Sequence, residues 1–206
     1  MAKIGLSKPY FAKYTNTGGI TTYSGGTAIG KAVELSMELE GQDDNILYAD
    51  NGPAESDNEF GGGSITLKTD DLLPAPMIGI LGVKEESITD VEGVTTEGAS
   101  WLVFDDEQNT PYVGFGAIVK RKINGQVKYS ALIYPKIQFQ NTGDAAVTQG
   151  ESIDWQTPEL MATLMRDDTE HHEWRRLSSP LNTEAEAEAL IKQFLNITDT
   201  AEESTE

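Results

Sequence analysis

The stretch Gly25-Gly26-Thr27-Ala28-Ile29-Gly30-Lys31-Ala32 comes within one residue of a phosphate-binding loop, in which glycines aim backbone N–H groups at phosphates and a hydroxyl after the lysine reaches magnesium. Ala32 has no hydroxyl, and the residues after Lys31 alternate with period two where the motif must open a helix. A glycine turn leading into a strand is the better reading. Asp167, Asp168, Glu170, His171, His172 and Glu173 are the densest group of potential metal ligands. They lack the spacing of zinc or calcium sites, so an exposed polar loop is expected. Asp43-Asp44, Asp70-Asp71 and Asp105-Asp106 offer paired carboxylates of the kind glycoside hydrolysis needs, but nothing in the sequence makes them converge. Asp70 and Asp71 read instead as capping charges for a short helix. No nucleophile-elbow pattern occurs and the only two histidines are adjacent, so a Ser/His/Asp arrangement has no support. The reading is of a non-enzymatic chain with no catalytic residue, metal or cofactor.

A different kind of chemistry sits around Asn124-Gly125. This dipeptide separates two strand-like runs, Tyr112 to Ile123 and Gln126 to Tyr134, and favours the type I′ turn of a two-residue hairpin. That register sets Arg121 opposite Lys128 and gathers Lys120 and Lys122 at the same tip, although like charges across a strand pair are destabilising. The chain as a whole carries 34 acidic and 15 basic residues for a formal net charge of -19. A cationic cluster in such a background suits either a solvated hairpin that blocks edge aggregation or a dock for an acidic patch on another copy. The same net charge disfavours spontaneous attraction to nucleic acid or an anionic membrane.

The elements that position these groups are mostly strands. Twenty Gly, no Cys and 38% hydrophobic residues suit a turn-rich β protein without thiol chemistry. Alternation is strictest from Ala32 to Glu40, with Val33, Leu35, Met37 and Leu39 inward and Glu34, Ser36, Glu38 and Glu40 outward. Shorter alternations predict strands at Ser64 to Lys68 (Ile65 and Leu67 inward), Lys136 to Gln140 (Ile137 and Phe139 inward) and Ser152 to Gln156 around Ile153 and Trp155. Lys8 to Thr15 and Ile20 to Tyr23 read as a second hairpin around Thr17-Gly18-Gly19. A capping box at Thr183 and Glu186, followed by Ala187, Leu190, Ile191, Phe194 and Leu195, predicts a C-terminal helix over 183–195. Pro76, Met77, Ile80 and Leu81 before Gly82 predict a short helix that plugs an open edge or face of the sheets. Gly41 to Gly63 and Glu85 to Gly98 read as long polar loops for external contacts. Residues 1–197 are expected to form one domain and 198–206 an acidic disordered tail. The absence of a signal-like N-terminus or an apolar run of roughly 20 residues leads to the expectation of a cytoplasmic protein.

Several short segments, in order, resemble major tail proteins of long-tailed, non-contractile phages. They are Lys8-Pro9, Leu47-Tyr48-Ala49-Asp50-Asn51 with Glu55-Ser56-Asp57 and Phe60, and Asp70-Asp71-Leu72 leading to Leu81-Gly82. Gly114-Phe115-Gly116, the Asn-Gly hairpin, Tyr134-Pro135-Lys136, Trp155-Gln156-Thr157-Pro158, Trp174 and the helix start at Thr183 continue the series, so the resemblance runs from about Gly5 to Leu195. It implies a β-sandwich or rolled antiparallel sheet with flanking helices, assembled as stacked hexameric rings into a tube for DNA ejection, and a fold similar to the tube protein of type VI secretion. Its partners would be further copies, the terminator, tape measure and baseplate hub, with double-stranded DNA passing unbound. The location would be the virion tail, after assembly in the bacterial cytoplasm.

In such a tube Glu34, Glu38 and Glu40 are candidates for the lumen wall, because cations there would hold phosphates and an acidic wall repels them. Lys120, Arg121, Lys122 and Lys128, together with Asp43, Asp44, Asp50, Glu55 and Asp57 of the first long loop, are candidates for contacts between subunits. The competing expectation is a soluble β-sandwich carbohydrate-binding or adhesion module presenting exposed aromatics.

Overall fold

The structure is a computed structural model describing residues 2–40, 45–49, 52–57, 60–89, 98–141, 143, 148 and 157–198. The chain runs β1 (Ala2–Thr17), β2 (Ile20–Ala28), β3 (Ala32–Leu39), β4 (Asn45–Ala49), β5 (Gly52–Asp57), β6 (Gly63–Thr69), α1 (Pro74–Leu81) and β7 (Lys84–Ser87). It continues through β8 (Ser100–Val103), β9 (Tyr112–Ile123), β10 (Gln126–Phe139), β11 (Glu159–Met165), β12 (Arg176–Leu177) and α2 (Glu184–Phe194). One antiparallel sheet has the order β2-β1-β9-β10-β11-β6-β3, with β12 added against β10. β4–β5 and β7–β8 are separate two-stranded hairpins. The protein is therefore mainly β, with antiparallel sheets and two helices.

The sheet rolls, because the backbone N–H of Ile29 donates to the Pro9 carbonyl (2.9 Å) and that of Asp70 donates to the Lys31 carbonyl (3.0 Å). These bonds tie β1, the β2–β3 turn and the end of β6 together, so the inner face encloses one core. Phe11, Ile65, Leu67, Phe115, Tyr134, Ile137, Phe139 and Leu160 are among its members. A second core, including Ala12, Tyr23, Ile118, Ile133, Ala187, Ile191 and Leu195, lies between α2 and the outer face of β1, β2, β9 and β10.

The two cores explain why β9 shows no simple alternation. Val113 through Val119 are all buried, with Val113, Phe115, Ala117 and Val119 facing one core and Ile118 the other. Gly114 and Gly116 let α2 approach closely: a Cβ at Gly116 would lie 2.6 Å from Ile191 Cγ2, and one at Gly114 would lie 2.5 Å from the Tyr23 ring. At the other end of the roll, α1 inserts Ile80 and Leu81, and Gly79 sits directly against the Phe11 ring. The short helix does plug an open face, as the sequence predicts.

Several expectations change. The helix starts at Pro74, where its first-turn N–H groups have no intrahelical acceptor and prolines are tolerated. Asp70 and Asp71 do not cap it. Asp70 Oδ1 accepts from the N–H groups of Lys31 (2.7 Å) and Asp71 (2.9 Å), fastening the β2–β3 turn. Val33 and Leu39 are exposed and only Leu35 and Met37 are half-buried, since β3 is an edge strand paired on one side alone and a register shift between Ala32 and Glu34 leaves Val33 out of the ladder. The two long polar stretches contain strands: β4 and β5 fall in the first, while β7 overlaps the second and pairs with β8 beyond it. The N-terminal hairpin is longer than its sequence signal, and Pro135 sits inside β10 at a register shift between Tyr134 and Ile137. β11, with Leu160, Ala162 and Leu164 buried, is an element missing from the sequence reading. The strand expected at Ser152 to Gln156 lies outside the described residues, as do residues 199–206 of the expected tail.

Candidate functional site

The Asn-Gly hairpin forms as expected. Asn124 (φ 50°) and Gly125 (φ 83°) both take the positive φ of a type I′ turn, closing Ile123 against Gln126. Arg121 does pair across with Lys128. The structure adds a third cation, because β1 lies on the other side of β9 and brings Lys3 into register with Arg121. Lys3, Arg121 and Lys128 thus form a row across three strands on one face. Lys122 points to the opposite face between Ala2 and Val127, and Lys120 lies between Gly5 and Tyr129.

These charges are only weakly compensated. Lys128 Nζ donates to Asn182 Oδ1, at the N-terminal approach to α2. Among the described residues, Lys3, Lys120, Arg121 and Lys122 form no ion pair, and the buried Nε of Arg121 has no hydrogen-bond partner. Elsewhere Lys8, Lys31, Lys68, Lys84, Lys136, Arg176 and Lys192 each hold a carboxylate, while Lys13, Arg166 and Arg175 form no ion pair among the described residues. Glu186, held below its usual range first by bonds from Thr183 and Asn182 and then by Lys128, is the carboxylate this end does feel, and its cross-strand cations still repel one another.

The glutamate face is less uniform than its sequence suggests. Glu34 is opposite Lys68, whose Nζ lies 3.0 Å from Glu34 and 3.6 Å from Glu159. The hydrogen bond to Glu34 holds the Lys68 ammonium above its ordinary pKa. Glu38 faces Ser64, and Glu40 lies just past β3, its N–H donating to the Gly62 carbonyl (3.1 Å). Beyond these charges the face carries hydroxyls, with Ser36 beside Thr66 and Ser64 beside Thr163, and the exposed Met161 on the other side of Thr66. Of the carboxylates assigned to the first long loop, Glu55 and Asp57 lie in β5, paired with Leu47 and Asn45, while Asp43, Asp44 and Asp50 are outside the described residues.

The dense polar patch at Asp167–Glu173 is a turn fastened to the sheet. It is the polar loop expected, with Asp168, Glu170, His171 and His172 exposed, but Asp167 is buried and one of its carboxylate oxygens accepts from Thr169 N (3.2 Å), Thr169 Oγ1 (2.7 Å) and Glu173 N (2.8 Å). Asp168 binds Lys136 Nζ (2.7 Å) and the Tyr14 hydroxyl (2.9 Å), and the Lys136 bond is the main reason its carboxyl stays below the usual range. Among the described residues no group of three or more His, Asp or Glu is arranged to hold a metal ion. The phosphate-loop look-alike is the turn Ile29-Gly30-Lys31 between β2 and β3, with no helix to receive a phosphate. A shallow cleft of about 440 Å³ beside α2 is lined by Ile133, Leu190 and Phe194, and its one cation, Arg176, is taken by Glu173 and stacks on Phe194. Leu190, expected in the buried stripe of α2, is exposed at this cleft.

The sequence reading missed Lys3, whose place in the row depends on which strand flanks β9. It also missed the arm formed by β7 and β8, which carries the exposed Trp101. Alternation within Glu159–Met165 was the available signal for β11. No protein-family model matches the chain, and no curated protein matches it.

Proposed function

We propose that the chain is a structural, non-enzymatic subunit of a long non-contractile phage tail, polymerising as stacked hexameric rings into the tube through which DNA is ejected. The observation that carries this reading is the cationic end of the β1–β9–β10 sheet, whose five cations form no ion pair among the described residues, in a chain of net charge -19. Such a surface is stable at a cost and is relieved by an acidic partner surface. The rolled antiparallel sheet with β2 and β3 at its edges supports the reading, since strands joined between subunits would cover both edges around a ring. The ordered resemblance to major tail proteins supplies the identity of the assembly.

In this reading the polar face of β3, β6 and β11 lines the lumen. Glu38 and Glu40 carry its repulsive charge, and Glu34 is largely neutralised by Lys68. Hydroxyl-bearing neighbours give phosphates no fixed cation to bind through counterion release. The virion tail is the location and the bacterial cytoplasm the place of assembly, with terminator, tape measure and baseplate hub as neighbouring proteins.

Negative-stain microscopy of the concentrated purified protein tests the proposal: rings or hollow tubes are expected, and a persistent monomer counts against it. Trp101, 64% exposed, favours a second reading as a carbohydrate-binding or adhesion module. A monomer that binds a glycan array and loses binding on Trp101→Ala would establish that alternative.

A further inference from the structure

The hairpin axis has opposite charges at its two ends. At the turn end stand Lys3, Lys120, Arg121, Lys122 and Lys128. At the far end, β7, β8 and the following turn carry Glu85, Glu86, Asp105, Asp106 and Glu107 against the single Lys84. Lys84 lies 2.6 Å from Asp105 and 3.0 Å from Glu107 and feels Glu86 only at longer range, which leaves Glu86 and Asp106 exposed and, among the described residues, without an ion pair. Gln108 fixes this turn to the far end of the sheet through bonds from its Nε2 to the Leu81 carbonyl and Asn141 Oδ1, both 2.8 Å. At about 3.3 Å per residue, the length of β9 separates the two ends by roughly 35 Å. Both charged ends also expose apolar side chains. Ile4 (49%) and Val127 (40%) lie among the lysines, and Trp101 (64%) and Phe104 (53%) among the carboxylates, with Trp101 directly opposite Glu86.

An exposed Trp inside a ring of one charge, matched by aliphatic side chains inside a ring of the other, has the anatomy of two halves of one interface. The halves are different surfaces at opposite ends of the hairpin, so their union is heterologous. We propose that the basic end of the β9–β10 hairpin docks head to tail on the acidic β7–β8 arm of a second copy. This names the partner surface for the basic tip and rests on the self-assembly reading above. It places the complement of the tip on Glu86, Asp106 and Trp101.

The test uses two double variants of the full chain. Arg121→Glu with Lys122→Glu exchanges two of the five cations of the turn end for carboxylates, and Glu86→Lys with Asp106→Lys exchanges two of the five carboxylates of the arm for cations, so that in each variant the exchanged groups face like charges across the proposed contact. Sedimentation velocity at low ionic strength is expected to show each variant alone associating more than about a hundredfold more weakly than the original chain, because like charges then meet. Mixing the two is expected to restore association, and raising the salt is expected to weaken it. Circular dichroism checks that both variants are folded. Failure of the mixture to associate overturns the proposal, as does unchanged association of the acidic-arm variant. It also falls if the original chain stays monomeric while its basic end retains a double-stranded DNA fragment that the Arg121→Glu, Lys122→Glu variant does not. Restored association with no rings in micrographs would retain this contact and remove the tail-tube reading. Rings that form regardless of these substitutions would do the reverse.

Discussion

Arg121→Glu should stabilise the monomer while abolishing its assembly. Arg121 has a cation in register on each side, Lys3 in β1 and Lys128 in β10, so the substitution turns two like-charge neighbours into two opposite-charge ones. Cross-strand charge pairs are worth roughly 0.2–1 kcal/mol each, which gives a gain of roughly 0.5–2 kcal/mol at low ionic strength. Loss of the buried, unpartnered Nε adds to the gain, and loss of packing along the arginine stem subtracts from it. Urea unfolding followed by tryptophan fluorescence, at protein concentrations too low for association, measures the change. The expected order of stability is the original chain, then Arg121→Gln, then Arg121→Glu, with the three converging as salt screens the pairs. Lys13→Glu alters net charge equally from an exposed position in β1 and controls for the general repulsion of an acidic chain. If Arg121→Glu is less stable than Arg121→Gln at low salt, or if added salt leaves the gap unchanged, the cross-strand repulsion argued here is wrong.

Gly116→Ala should cost about 1–3 kcal/mol, because its Cβ would meet Ile191 Cγ2 at 2.6 Å and push α2 away from β9. Ile191→Ala alone should cost about 2–5 kcal/mol through the cavity it leaves, and the double variant should cost less than the two combined; additive unfolding free energies would contradict the contact. Burial by itself would raise the Glu188 carboxyl, but hydrogen bonds from Lys8, Tyr10 and Lys192 outweigh it and bring the carboxyl down to about 2. A depressed carboxyl stabilises the fold above its unfolded value of 4.5 and loses that contribution as pH falls toward 2. Glu188→Gln should therefore lower stability at neutral pH and flatten the pH dependence of the urea midpoint across that window; an unchanged profile would show that the cluster contributes nothing. Glu38→Lys with Glu40→Lys should slow DNA ejection from virions that carry it, as measured by dye uptake into released DNA, and normal ejection kinetics would place the lumen elsewhere.

Local signals were legible wherever the chemistry is local. Asn124-Gly125 specifies a turn whose φ angles few other pairs adopt, and the register of Arg121 with Lys128 follows from the two-residue loop. Thr183 and Glu186 announce α2 through a reciprocal cap that both side chains complete. Alternation placed Ile65, Leu67, Ile137 and Phe139 correctly, because the strands that carry them have one face on the core. It failed at Val33 and Leu39, where the pattern is intact but the strand is at the edge of the sheet and its ends lack a covering layer.

The sequence by itself determined a mainly β, acidic chain with a cationic hairpin, since composition, period and turn chemistry depend on neighbours a few residues apart. Only the tertiary structure decided that Lys3, more than a hundred positions away, completes a row with Arg121 and Lys128. It also decided that Lys68 neutralises Glu34 and that Asp70 fastens the β2–β3 turn where a helix cap was expected. The physical reason is the order of strands: a sheet places side chains beside partners set by long-range pairing, and no local pattern records which strand will be the neighbour.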